Sequence, residues 1–177
     1  MNTVITNLDI ISEVAAGREE ENDQFGVWLK EEDAEEIDRL VHEINERVSE
    51  AVDCTACGNC CNSLMINVTP GETISCAQHL TISTETFKEK YIEESQGGIM
   101  IINTIPCHFL TEKRCTIYEH RFTECRDFPH LHKPGFTRRL FSTMMYYGMC
   151  PIIFNVVEEL KEKLGFKIVT LPTVENK

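Results

Sequence analysis

The chain has 177 residues, 42% of them hydrophobic, and a formal net charge of −12. That is length for one domain with tails, and apolar content for a real core. The acidity excludes a nucleic-acid surface, which needs a basic stripe, and an anionic membrane face. No apolar run approaches about 18 residues, so no membrane span is predicted.

Residues 1–29 read as a loosely organised, flexible N-terminal segment. Gly17 to Asp23 is a polar, charged run of the solvated kind, and Phe25, Trp28 and Leu29 are positioned to dock it onto a core. Met1 to Asp9 lacks a basic start followed by an apolar stretch, so no secretion signal is read and a reducing, cytoplasmic location is expected. In that compartment the nine cysteines are expected as thiolates or metal ligands rather than disulfides.

A helix is predicted from about Asp33 to Val52, where Ile37, Leu40, Val41, Ile44, Val48 and Ala51 recur with helical period and acids occupy the first turn. His42 reads as an exposed helix histidine. The helix delivers the chain into Cys54-Thr55-Ala56-Cys57-Gly58-Asn59-Cys60-Cys61. Four sulfurs fall within eight residues, spaced C-x2-C-x2-C-C: a C-x2-C pair can curl around one cation, while the adjacent Cys60-Cys61 suits a polynuclear cluster, two neighbouring metals, or one ligand plus one core thiol. Free core thiols do not explain that density.

Leu64–Val68 reads as a short strand or extended segment. Thr69-Pro70-Gly71-Glu72 starts a helix running to Leu80, with threonine as cap and glutamate three residues on; Cys76 within it reads as a small apolar residue. A second helix begins near Ser83, carries Phe87, Tyr91 and Ile92 inward, and ends at Gln96-Gly97-Gly98. Ile99–Ile102 reads as a strand.

A second cysteine region follows: Cys107-His108-Phe109-Leu110, Cys115-Thr116-Ile117-Tyr118-Glu119 and Cys125-Arg126-Asp127-Phe128-Pro129. It shows little periodicity, and a loop of this kind is costly to order by burial alone. Metal ligation at three points would tie it down. Pro134-Gly135 is a turn, and Arg138–Tyr147 reads as a strand pair or hairpin arm. Cys150-Pro151 opens a last helix that stops at Gly165, and Phe166–Leu171 reads as an edge strand.

With Cys76 set aside, the candidate ligands are Cys54, Cys57, Cys60, Cys61, Cys107, Cys115, Cys125 and Cys150, enough for two four-sulfur sites or one cluster with supporting thiols. Four thiolates around zinc, or around a four-iron cluster with a 2+ core, leave about two negative charges. Arg114, Arg121 and Arg126 lie near in sequence to balance them, with Arg126 the favoured neighbour of the sulfurs. C-x2-C-x2-C favours iron–sulfur, although the further x3-Cys-Pro of the bacterial ferredoxin run is absent; zinc also suits sulfur ligands. A thiol-redox C-x2-C site is the rival, without the strand–helix–strand setting it normally has. His108, His120, His130 and His132 read as surface or supporting residues rather than ligands.

Together these pieces resemble the CxxCxxCC cysteine-cluster family, the YkgJ-type zinc- or iron-chelating domains. The resemblance rests on Cys54–Cys61, the Cys107, Cys115 and Cys125 segments and the late Cys150-Pro151, and covers about residues 50–155. It departs at His120-Arg121-Phe122, where the family commonly has Arg-Pro. It implies metal chelation, and some members carry an iron–sulfur oxidoreductase label.

The expectation is an α+β, mainly helical domain over residues 30–171, organised around a cysteine-ligated metal centre, with a tail at 172–177. The centre is expected to be a four-iron, four-sulfur cluster, with zinc as the alternative. Its role would be electron transfer or support of a partner enzyme. The rivals are a structural zinc module that binds proteins and a metal enzyme with an open coordination position, for which no paired base and nucleophile is visible.

Overall fold

The structure, a computed structural model, describes residues 3–169. In chain order its helices are α1 (Leu8–Ala16), α2 (Glu19–Trp28), α3 (Ala34–Ala51), the single turn α4 (Cys54–Cys57), α5 (Pro70–His79), α6 (Thr84–Tyr91), α7 (Thr123–Asp127), α8 (Phe136–Met144) and α9 (Pro151–Leu164). The strands are short: β1 (Asn67–Val68), β2 (Ile92–Glu94), β3 (Met100–Ile102), β4 (Leu110–Thr111) and β5 (Arg114–Cys115). The class is α+β. The chain divides into two compact units, one of residues up to Val52 and from Pro129 onward, the other Asp53–Phe128.

The first unit is helical. In α3 the Asp33 side chain accepts from the amides of Glu35 and Glu36, which satisfies donors the helix start leaves unpaired. The apolar stripe Ile37, Val41, Ile44 and Val48 is buried, against α8 and α9. Pro151 opens α9 and left-handed Gly165 closes it, as their sequence positions predict.

Residues 8–28, expected to be loose, instead form α1 and α2. Asn7 caps α1 through the amides of Asp9 and Ile10, and Ile11, Phe25 and Leu29 are fully buried. Phe166 packs its ring against Phe25 and Trp28 at centroid distances of 5.0 and 5.6 Å. The solvated look of the Arg18–Asp23 stretch hides a helix because its partners lie at the far end of the chain: Lys161 reaches Glu21 and Asn22.

Two expectations here are corrected. Arg138–Tyr147 is not a hairpin arm; it falls mostly within α8. Phe136, Leu140 and Thr143 lie on one helical face and are buried. The Asp38 carboxylate accepts from the amides of Gly135 (2.6 Å) and Phe136 (2.8 Å), placing an anion at the α8 start. Phe166–Val169 carry no strand among the described residues. The rest of that expected strand and the 172–177 tail lie outside the described residues.

The second unit joins two helices to a three-stranded antiparallel sheet of order β1-β3-β2. α5 starts with a complete capping box between Thr69 and Glu72. α6 ends earlier than the sequence reading, at Tyr91. From there Ile92, Glu93 and Glu94 pair with Ile102, Ile101 and Met100, so the strand ladder takes residues the helix pattern would have claimed. Ile66, Val68, Cys76, Ala77, Phe87, Ile102, Phe109, Ile117 and Phe122 form one apolar cluster.

Candidate metal centre

Asp53 caps α4 by accepting from the amides of Thr55 and Ala56, which turns Cys54 and Cys57 onto one short loop. Gly58 ends that turn in the left-handed region at φ 59°, and a Cβ there would collide with the carbonyl oxygen of Lys113. Only glycine fits a backbone approach this close. A 3-10 turn then presents Cys60 and Cys61.

The second cysteine region folds onto this loop. The Cys107 amide donates to the Cys61 carbonyl at 2.9 Å. β4 and β5 form a hairpin with Leu110 opposite Cys115. Its turn residues Glu112 and Lys113 both have positive φ, at 48° and 67°, the conformation of a tight hairpin turn. Lys113 is the residue whose carbonyl Gly58 abuts, so the hairpin and the first loop are packed backbone to backbone. Phe109, Ile117 and Phe122, interleaved with the cysteines, are buried in the apolar cluster. Burial and backbone hydrogen bonds thus order a segment expected to need metal for its anchoring.

The backbone of Phe109 favours the ionised form of Cys107 and that of Ile117 the ionised form of Cys115, since a nearby amide N–H stabilises thiolate over thiol. Burial opposes them: it is the largest influence on Cys107 and Cys115, and both thiols are pushed up. Burial also leads at Cys125, reinforced by Cys61, Cys107 and Cys115, and drives that thiol up to about 12. At Cys61 a hydrogen bond with Cys60 comes first, then burial, and the thiol is raised far above its ordinary value.

The mutual influences sort the sulfurs. Cys61, Cys107, Cys115 and Cys125 lie in one another's fields, with Cys60 joined to Cys61. Cys54 and Cys57 form a neighbouring pair; Cys54 is exposed as a residue, and the partial desolvation of its thiol, then Cys57, raise it. Cys150 belongs to the other unit, buried at the start of α9 with its amide donating to the Tyr146 carbonyl at 2.9 Å. Cys76 is 1% exposed, and its thiol reaches the His120 carbonyl at 3.4 Å, in keeping with a core role.

The cations and histidines divide too. Arg121 opposes the rise of the Cys54, Cys115 and Cys125 thiols. Arg126, the sequence-based choice, acts on Cys76, and Arg114 acts on Asp53. His108 bonds Asn103 at 2.7 Å and meets the edge of Tyr91. His120 stacks on His79, with ring centroids 3.9 Å apart. His130 and His132 lie in the helical unit.

Among the described residues no three Cys, His, Asp or Glu side chains converge closely enough to enclose a metal ion. The donor set nonetheless fits a thiophilic one. It is sulfur alone, partly buried and mutually repelling once ionised.

The model of the CxxCxxCC family, described as "Putative zinc- or iron-chelating domain", matches residues 53–150, more than half of the chain. The chain belongs to the CxxCxxCC family. No curated protein and no solved structure matches it. The family description makes this CxxCxxCC chain a metal-binding one in the general sense, and no helix among the described residues is long and apolar enough to cross a membrane.

Proposed function

We propose that this CxxCxxCC protein holds an iron–sulfur cluster of the four-iron, four-sulfur type and serves electron transfer or a partner enzyme in the cytoplasm. The observation that supports the reading is the packing of the two cysteine regions on one another, with the Cys107 amide donating to the Cys61 carbonyl and Gly58 abutting the hairpin that carries Cys115. Cys61, Cys107, Cys115 and Cys125 are the primary ligands, while Cys54, Cys57 and Cys60 supply adjoining thiolates and Cys150 stays a candidate from its place in the motif. Bound there, the cluster would supply one-electron chemistry. The chain itself binds the metal, fixes the sulfur positions through α4, the β4–β5 hairpin and α7, and limits water through Phe109, Ile117 and Phe122.

One zinc and one four-iron cluster each take four thiolates, so the number of sulfurs does not choose between them; the C-x2-C-x2-C run, the ferredoxin-type spacing, favours iron–sulfur. Protein purified without air should be brown, with iron and acid-labile sulfide, and Cys115→Ser should lose most of both. A colourless protein with one bound zinc, abolished by the same substitution, would replace the cluster with a structural zinc site. No stoichiometric metal under either condition would sink the proposal.

A further inference from the structure

Arg121 stands out among the side chains of the cysteine unit. It follows the turn carrying Tyr118–His120 and precedes α7, so it sits between the segment bearing Cys115 and the helix bearing Cys125. Its guanidinium lies 3.8 Å from the centre of the Tyr118 ring, a stacking that fixes the plane of the group. Its Nε is buried and has no hydrogen-bond partner. Leaving a buried donor unpaired forfeits its hydration with nothing in return, so a side chain held in this pose is short of an acceptor. A neutral thiol is a weak acceptor and a thiolate a strong one.

We propose that Arg121 is the positioning cation of the sulfur centre, donating through Nε–H to a metal-bound thiolate and offsetting the negative charge that four thiolates leave. The inference rests on the metal-binding reading above and adds the group that tunes it. Its place in the chain, between the Cys115 hairpin and the helix of Cys125, brings a fixed cation to the cysteine unit. Arg126 lies within α7 and acts on the buried Cys76 thiol, and it lacks the buried, unpartnered Nε that Arg121 has. A carboxylate is the obvious alternative partner for Arg121, but none is in salt-bridge contact with it among the described ion pairs.

The test uses the full chain, stripped of metal, titrated with Zn²⁺ against a competing chelator and with Co²⁺ followed by its thiolate-to-cobalt absorption. Arg121→Gln should weaken zinc binding by about 10- to 100-fold, the usual cost of losing a group that orients a ligand. Arg126→Gln should leave it near the parent value. Arg121→Lys should recover most of the affinity, since the charge is kept, yet shift the cobalt band because the planar N–H donor is gone. Melting of the metal-free proteins checks folding. Should Arg121→Gln not fold, the Arg121→Lys band decides, and a band identical to the parent's overturns the inference. So do equal affinities of parent and Arg121→Gln, or equal losses in the Arg121 and Arg126 variants. A parent protein that binds neither ion overturns the metal reading and this inference with it.

Discussion

Gly58 shows how much one position can carry. Its left-handed conformation alone would strain another residue by about 1–3 kcal/mol, and the Lys113 carbonyl, lying where a side chain's first carbon would go, leaves no room to relax. Gly58→Ala should therefore lower stability by at least about 2 kcal/mol and reduce metal uptake, because the first cysteine loop must lift off the hairpin. Denaturant unfolding and metal analysis of the variant check both. An unchanged midpoint with full uptake would show that the loop-on-hairpin contact is not what sets the site. At Cys107 and Cys115 the same dependence on local conformation recurs. Their spacing marks them as candidate ligands, but the influence of the Phe109 and Ile117 backbone on their thiols depends on the turn each one occupies.

At the scale of elements, Glu72 holds α5 in two ways. Its carboxylate completes the capping box with Thr69 and also accepts from the Thr123 amide at 2.6 Å, tying the start of α7, and so Cys125, to α5. Burial pushes this carboxyl up, but the hydrogen bonds from Thr123 and Thr69 outweigh it and hold Glu72 below its ordinary value. A carboxylate lowered by folding contributes stability that is fully present above its unfolded pKa and disappears as pH falls through the folded one. Glu72→Gln should thus cost about 1 kcal/mol at pH 7, and the gap from the parent should close as pH drops below about 4. Urea unfolding at pH 7 and pH 3 measures it; a gap that stays constant would assign the loss to packing instead. α5 is legible because its cap residues are local in sequence. α8 is not: its face of Phe136, Leu140 and Thr143 is mixed with Arg138 and Arg139 and has a polar member, so the helical period is hard to tell from a strand. The β4–β5 turn is equally hidden, since Glu112-Lys113 lacks the Asn-Gly or Asp-Gly signal of such turns.

On the scale of the molecule, each compact unit has its own source of order. The helical unit buries its apolar stripes among α3, α8 and α9. The cysteine unit has the apolar cluster that takes in Phe109, Ile117 and Phe122 from between the sulfurs. Metal removal should therefore loosen that unit locally rather than dissolve it. Hydrogen exchange should speed up at the Cys107 and Thr116 amides, while the amides of α5 and α6 keep their protection. Equal acceleration throughout α5 and α6 would mean that the metal, not the apolar cluster, holds the unit together.

The order of residues alone was enough for the family, the density of sulfur and the helices whose caps and stripes are written in neighbouring residues: α3, α5 and α9. These are short-range properties, fixed by spacing and by which side chain can reach which amide. Three things needed the folded chain: which thiols share a field, that Arg121 acts on Cys115 and Cys125 with its Nε buried and unpartnered, and that α1 and α2 are ordered. Coulomb influence and burial depend on distance in space, and chain separation does not report that distance.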